Sequence, residues 1–240
     1  MVKVDVLAIG AHPDDVELTC GGTIIKLVKQ GKKVGIIDIT DGELGTRGSR
    51  ETRAEEATNA GKILGVSVRE SLSIPDGNIE NSIDNRLRLV RVIRKYKPEI
   101  LLFPYHTDRH PDHENAHILC RESWFASGLA KVETFEQDLR QEPHRPRNYY
   151  HYMQWFEFIP SFVVDVTEEY EQRMEAVRAF KSQFHDPKST ERETVLSKPE
   201  FMEMIQTRLE YYGDRVNKKY GEPFFSSSLI GVDDIYSLGT

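Results

Sequence analysis

Residues 4–17 read VDVLAIGAHPDDVE, an apolar run that stops on a histidine, a proline and two aspartates. The branched and apolar residues of 4–11 suit a strand buried on both faces, the kind found inside parallel sheets. Working outward, VGIIDIT (34–40), the run at 68–74 and EILLFP (99–104) repeat the pattern, with amphipathic stretches between them. Residues 23–30 predict a helix closed by Gly31, and residues 50–64 a charged helix with Ser49 as N-cap. Residues 85–97 place Leu89, Val90, Ile93 and Tyr96 on one helix face, and Pro98 stops it. Strands and helices alternating in this way predict βαβ units. The fold class is therefore α/β: Rossmann-like, three layers, a mainly parallel sheet between helices.

The rest of the chain predicts a helix at about 112–127 and strands at 149–154 and 162–166. Tyr170, Met174, Val177, Phe180 and Phe184 recur at helical spacing. A last helix at 199–217 carries Ser197 and Glu200 in capping-box positions. These pieces form a C-terminal α/β elaboration within a single domain, 1–240. Residues 133–147 are polar and contain proline, and are expected to be a mobile loop.

The net charge of −7 opposes nucleic-acid binding, which needs basic stripes against phosphates. No apolar run reaches the roughly 18 residues of a membrane span, and no signal-peptide core is visible at the start. Cys20 and Cys120 are too few for a disulfide framework. The expectation is a soluble, cytoplasmic protein acting on a small molecule. Cys20, next to Gly21 and Gly22, reads as a small buried residue rather than a ligand.

Open parallel sheets bind ligands beyond the carboxyl ends of their strands. There the first strand delivers His12, Pro13, Asp14 and Asp15, and the fourth delivers YHTDRHPDH (105–113). His106, His110, His113 and His117 make up four of the eight histidines, and this concentration points to a metal. Histidine with aspartate suits zinc, whose catalytic sites keep three protein ligands and one open position. His12 and Asp15 can reach one ion across a turn. The third ligand is His110 or His113, which share a helix face behind Pro111, and spacing leaves that choice open. Taken alone, each loop also has a plain structural reading: an aspartate capping the next helix, or His110 as an N-cap. A dinucleotide site is excluded, because Gly10-Ala11-His12-Pro13 lacks the GxGxxG turn and two carboxylates would repel phosphate.

AHPDDVE (11–17) with HPDH (110–113) resembles the PIG-L-type, LmbE-like N-acetylglucosaminyl deacetylases. ITDGELGTRGSRETRAEEA (39–57) and the tail motifs YGEPF and GVDD resemble the bacillithiol-biosynthesis branch, which deacetylates N-acetylglucosaminyl-malate. The resemblance implies one zinc ion per subunit on His12, Asp15 and His113, with Asp14 as general base. It implies that His110, with Asp112 beside it, is a charged partner for the oxyanion. Arg53 matches an arginine near the substrate, and Arg145 one at the pocket mouth. Phe201 stands where some relatives carry a tyrosine that supports the oxyanion. A homo-oligomer is also implied.

A malate half would bring two carboxylates, so Arg47, Arg53, Arg109 and Arg145 are the candidates to meet them. Arg109 has an alternative in a salt bridge to Asp108 or Asp112, and Arg47 in a flexible, solvated glycine-rich turn. Competing functions are an amidase or deacetylase for another N-acetylglucosamine or thiol conjugate, a metal-dependent phosphoesterase, and a silent sugar-binding protein. A phosphoesterase usually needs a two-metal, carboxylate-rich cluster.

Overall fold

The first strand, β1 (Val6–Gly10), is buried along its whole length. The computed structural model describes residues 2–237. In chain order β1 is followed by α1 (Asp15–Lys29), β2 (Val34–Asp38), α2 (Arg50–Leu64), β3 (Val68–Ser71), α3 (Ile83–Tyr96) and β4 (Ile100–Pro104). Then come α4 (Pro111–Ser127), a hairpin of β5 (Phe135–Glu136) and β6 (Leu139–Arg140), β7 (Asn148–Tyr152) and β8 (Phe162–Asp165). The chain closes with α5 (Tyr170–Arg178), α6 (Phe201–Asp214), β9 (Gly221–Phe225) and a 3₁₀ turn at Ile235–Ser237.

Seven strands form one sheet in the order β3-β2-β1-β4-β7-β9-β8, with β9 alone antiparallel to its neighbours. Alternation along β1 sends Leu7 and Ile9 to one face, where α3 and α4 bring Leu89, Ile93 and Leu119. Val6 and Ala8 go to the other, against Val16, Ile24 and Ile25 of α1. A third apolar cluster joins α2, α5 and α6 through Ala60, Met174, Phe180, Phe201 and Ile205. The α/β fold with helices on both faces of a mainly parallel sheet is present. Among the described residues, no helix is long and apolar enough to cross a membrane.

Ser49 caps α2 as expected, its hydroxyl accepting from Thr52 N (3.2 Å), and Pro111 opens α4. Four local features differ from what the sequence analysis expects or names. α1 begins eight residues before the expected start at 23, and breaks at Cys20 (φ −137°) instead of beginning after the glycines. The break frees backbone amides of Gly22 and Thr23, which donate to the Glu222 carboxylate at 2.9 and 2.7 Å. Arg173 locks the arrangement, donating to Glu222 (3.0 Å) and to Leu18 O (2.6 Å) from the other side of the break. Gly22 is required there, since a Cβ would meet Val166 at 2.8 Å. Cys20 itself is fully buried.

β9 is the second, an element that the sequence analysis does not name: Gly221 and Pro223 are poor strand formers, and pairing with β7 and β8 overrides them. The third is the 133–147 segment, which is not a loose loop throughout. Gln137 and Asp138 turn the β5–β6 hairpin with positive φ, and the buried Arg94 guanidinium holds Val132 O and Thr134 Oγ1. The fourth is the capping box at α6. Ser197 exchanges hydrogen bonds with Thr194 instead, and Glu200 is the N-cap without a side-chain bond.

A candidate metal centre at the carboxyl ends of β1 and β4

β1 and β4 are adjacent, and the strand order reverses between them, so the loops beyond Gly10 and Pro104 flank one crevice. Asp14 takes φ 111°, a left-handed conformation that costs a residue with a Cβ. The strained turn brings His12 N to donate to Asp15 Oδ2 (2.8 Å) and starts α1 at Asp15. On the other side, His110 is the N-cap of α4, with Asp112 and His113 in its first turn.

Two sets of side chains bring ligand-type atoms within 4.8 Å of one another: His12, Asp15 and His113, and His12, His110 and Asp112. In the first set, His12 Nδ1 lies 3.6 Å from Asp15 Oδ2, and His113 Nε2 lies 3.3 Å from Asp15 Oδ1. Carboxylates hold both opposite ring nitrogens. Asp76 Oδ1 (3.1 Å) and Asp112 Oδ2 (3.3 Å) flank His12 Nε2, and Asp108 Oδ1 is 2.7 Å from His113 Nδ1. Such carboxylates fix a ring's orientation and leave its other nitrogen free to ligate. In the second set the residues have other work. His110 Nδ1 accepts the Asp112 N–H (3.2 Å), and the Asp112 carboxylate accepts from Gly77 N (2.8 Å) and Ile79 N (3.3 Å).

The electrostatics favour a cation. Burial alone would lower His12, but Asp112, Asp15 and Asp76 raise it well above the usual histidine range. Asp15 and Asp108 likewise outweigh burial at His113 and lift it to about 9. Surroundings that hold a proton this firmly also attract a metal ion, which competes for the same lone pairs. Asp14 is pushed up to about 7 by burial, against the pull of Arg53. His110 moves the other way, lowered by burial and then by His12 and His113. His110 is thus pulled two ways, since Asp15 and Asp112 favour its charged form. His110 Nδ1 accepts from the backbone of Asp112, and the Asp112 carboxylate braces His12.

The arginines divide. Arg53 lines the crevice, donating to Asp14 Oδ2 (3.2 Å) and to Pro13 O, while its buried Nε has no partner. Arg109 also lines it. Its guanidinium lies over Trp155, 4.5 Å from the ring centroid, and forms no salt bridge among the described residues. Arg47 departs from expectation: its buried guanidinium is spent on Glu191 (3.2 Å), Phe184 O (3.2 Å) and Ser189 (2.7 Å). Arg145 is likewise not at the mouth. It donates to Phe125 O (2.7 Å) in the last turn of α4, a helix roughly 25 Å long that begins beside His110. Phe201 lines the crevice with no hydroxyl to offer.

Sequence reasoning missed Asp76, Asp108 and Gln154 as members of the site. Gln154, just beyond β7, donates to Asp15 Oδ1 (2.9 Å) and sits 3.2 Å from His113 Nε2. Its place at the carboxyl end of a third parallel strand was the available signal. Asp76 in a Pro-Asp-Gly turn gave none. His117 and His151 are buried apart from the site, each with Nδ1 on Pro104 O. The crevice has a volume of about 450 Å³.

Residues 7–124 match PIG-L, the family described as GlcNAc-PI de-N-acetylase. The diacetylchitobiose deacetylase of Thermococcus kodakarensis is 32% identical over 189 residues, which cover 75% of this chain and 70% of that one. The chain belongs to the PIG-L family. Structural likeness extends beyond the matched residues. The protein TT1542 of Thermus thermophilus superposes with a TM-score of 0.85 at 33% identity, covering 96% of this chain and 98% of that one. Another relative of this PIG-L protein, from Pseudomonas putida, is a 4-oxalmesaconate hydratase, 27% identical over 200 residues, covering 75% of this chain and 74% of that one. The reaction must therefore be argued from the site rather than from the scaffold.

Proposed function

We propose that the protein is a zinc-dependent hydrolase that removes the acetyl group from an N-acetylglucosamine conjugate. The observation that carries this reading is one cluster of His12, Asp15 and His113 with the Arg53-held carboxylate of Asp14, outside the ligand set, beside it in the same crevice. The donor set fits zinc: two imidazoles with braced outer nitrogens and one carboxylate. When bound, zinc would acidify water and polarise the acetyl carbonyl. Asp14, held by Arg53 and raised toward neutrality, accepts the proton of the attacking water and returns it to the leaving amine. His110 is the hydrogen-bond donor for the oxyanion. The two ligand sets share His12, which favours one metal over the pair that a phosphoesterase usually needs.

Asp108 orients His113 and also accepts from Trp155 N (2.7 Å). Asp108→Asn cannot satisfy all of these donors, and is expected to weaken zinc binding about 10- to 100-fold. Competition with a chromophoric chelator measures this, and unchanged affinity would remove Asp108 from the site.

The finer reading is N-acetylglucosaminyl-malate, in bacillithiol biosynthesis. It is supported by the resemblance of residues 39–57 and of the tail, and by Arg109 as a free cation at the crevice. The test is release of free amine from N-acetylglucosaminyl-malate and from N-acetylglucosamine, by wild type and by Arg109→Ala. Arg109→Ala is expected to raise KM about three- to ten-fold for the malate conjugate, a charge-assisted contact discounted for solvent, with little change for the plain sugar. Equal losses on both substrates would sink the carboxylate role. Amine release from neither would sink the deacetylase itself.

A further inference from the structure

A groove of about 680 Å³ runs between α3 and α4, away from the metal crevice. Ile83, Leu87, Val90, Trp124, Phe125 and Leu129 line it, with Ile83 69% and Phe125 54% exposed. Its rim is cationic, on a chain whose net charge is −7. Arg86 neutralises Glu122 (2.8 Å), whereas Arg121 forms no hydrogen bond or ion pair among the described residues. Arg145 adds a second exposed guanidinium, stacked 4.5 Å from the Phe125 ring centroid.

The segment after β9 has the complementary character. Its root is fastened: Ser226 N donates to Ser161 Oγ (2.9 Å), and Ser227 Oγ lies 3.3 Å from His151 Nε2. Beyond Ser228 the side chains lose the core. Leu229 is fully exposed, Ile230 and Val232 about half so, and Ile235 and Tyr236 are 77% and 96% exposed. A run of apolar side chains this open is the mark of an interaction surface. Residues 226–237 also carry Asp233 and Asp234 and no lysine or arginine.

We infer that residues 229–236 are an arm that docks in the α3–α4 groove of a second copy of this chain. Its apolar side chains would cover the groove floor, and its aspartates would meet Arg121 and Arg145. The position of the root suits a reciprocal exchange. His151, which holds Ser227, and Tyr149, which lines the groove, both pack on Phe103, at ring-centroid distances of 4.6 and 5.3 Å. Root and groove therefore share one face of the sheet. A two-fold pair brings that face together from both copies, so each arm can lie across the other's groove. Eight extended residues span roughly 26 Å, comparable with the roughly 21 Å length of α3. The homo-oligomer that the sequence resemblance implies thereby acquires a surface and an occupant.

Sedimentation of the full chain and photo-cross-linking test the arm. Wild type is expected to sediment as a dimer or a larger assembly. Leu229→Asp on the arm and Ile83→Asp on the groove both change exposed residues, and Ile83 opens α3, where an acid suits the helix end. Each should weaken self-association at least about ten-fold, with an unchanged circular dichroism spectrum. To locate the contact, p-benzoylphenylalanine replaces Leu229 in nitrogen-15-labelled chain, which is equilibrated with unlabelled wild type and irradiated. Mass spectrometry should find labelled arm peptides joined to unlabelled peptides from 83–90 or 121–129. A monomeric wild type would overturn the arm, as would an assembly that either variant leaves intact. Links confined to the arm's own chain, or to a surface other than the groove, would overturn it as well.

Discussion

Asp14→Asn is expected to lower kcat/KM by about 10²- to 10⁴-fold while leaving the metal content unchanged. Asparagine matches aspartate in shape and is among the few residues that tolerate the left-handed backbone observed at this position (φ 111°). The turn that aims Asp15 should therefore survive, and with it the His12 N to Asp15 bond. What the substitution removes is basicity. An amide cannot take a proton from water near neutral pH, whereas the buried carboxylate, held up to about 7, can take one and return it. Paired measurements of zinc stoichiometry and turnover check the result. Near-normal turnover with a full complement of zinc would show that Asp14 is not the base.

Removing the metal should have the larger effect. His113→Ala deletes a ligand, and it also leaves Asp108 without the ring it orients at 2.7 Å. The loss of zinc affinity should exceed the roughly 10- to 100-fold expected for a change outside the ligand set. Activity should fall to background, and Gln154 and Asp15 should not replace the missing donor. In the wild type, a chelator should abolish amine release and added zinc should restore it. Full activity after metal removal has been verified by elemental analysis would overturn the hydrolase mechanism as a whole.

Much of the site was legible because its residues lie in two short loops. The apolar run at 4–11 and the similar run at 99–104 each end on histidine and aspartate, which is enough to place both loops at one sheet edge. The helix boundaries at 50–64 and 111–127 followed from Ser49 and Pro111, local signals that act within one turn. The arginines were harder to read. Arg47 and Arg109 are both cations in loops near the site, yet one is buried on a distant segment, Phe184–Glu191, and the other lies open over Trp155. No spacing rule distinguishes them, because their partners are more than forty positions away in the chain.

The sequence by itself determined the α/β class, the sheet edge and the chemical type of the site, since each depends on periodicity and on residues close in the chain. Tertiary structure decided the rest. It placed Asp76, Asp108, Asp112 and Gln154 around His12, Asp15 and His113, and it made His110 the N-cap of α4. It also started α1 at Asp15, because Glu222 and Arg173 stabilise a break that the glycine pair alone would read as a helix end. The physical reason is common to all three. Burial makes a polar group depend on whichever partner packing brings to it, and packing joins residues that the sequence keeps far apart.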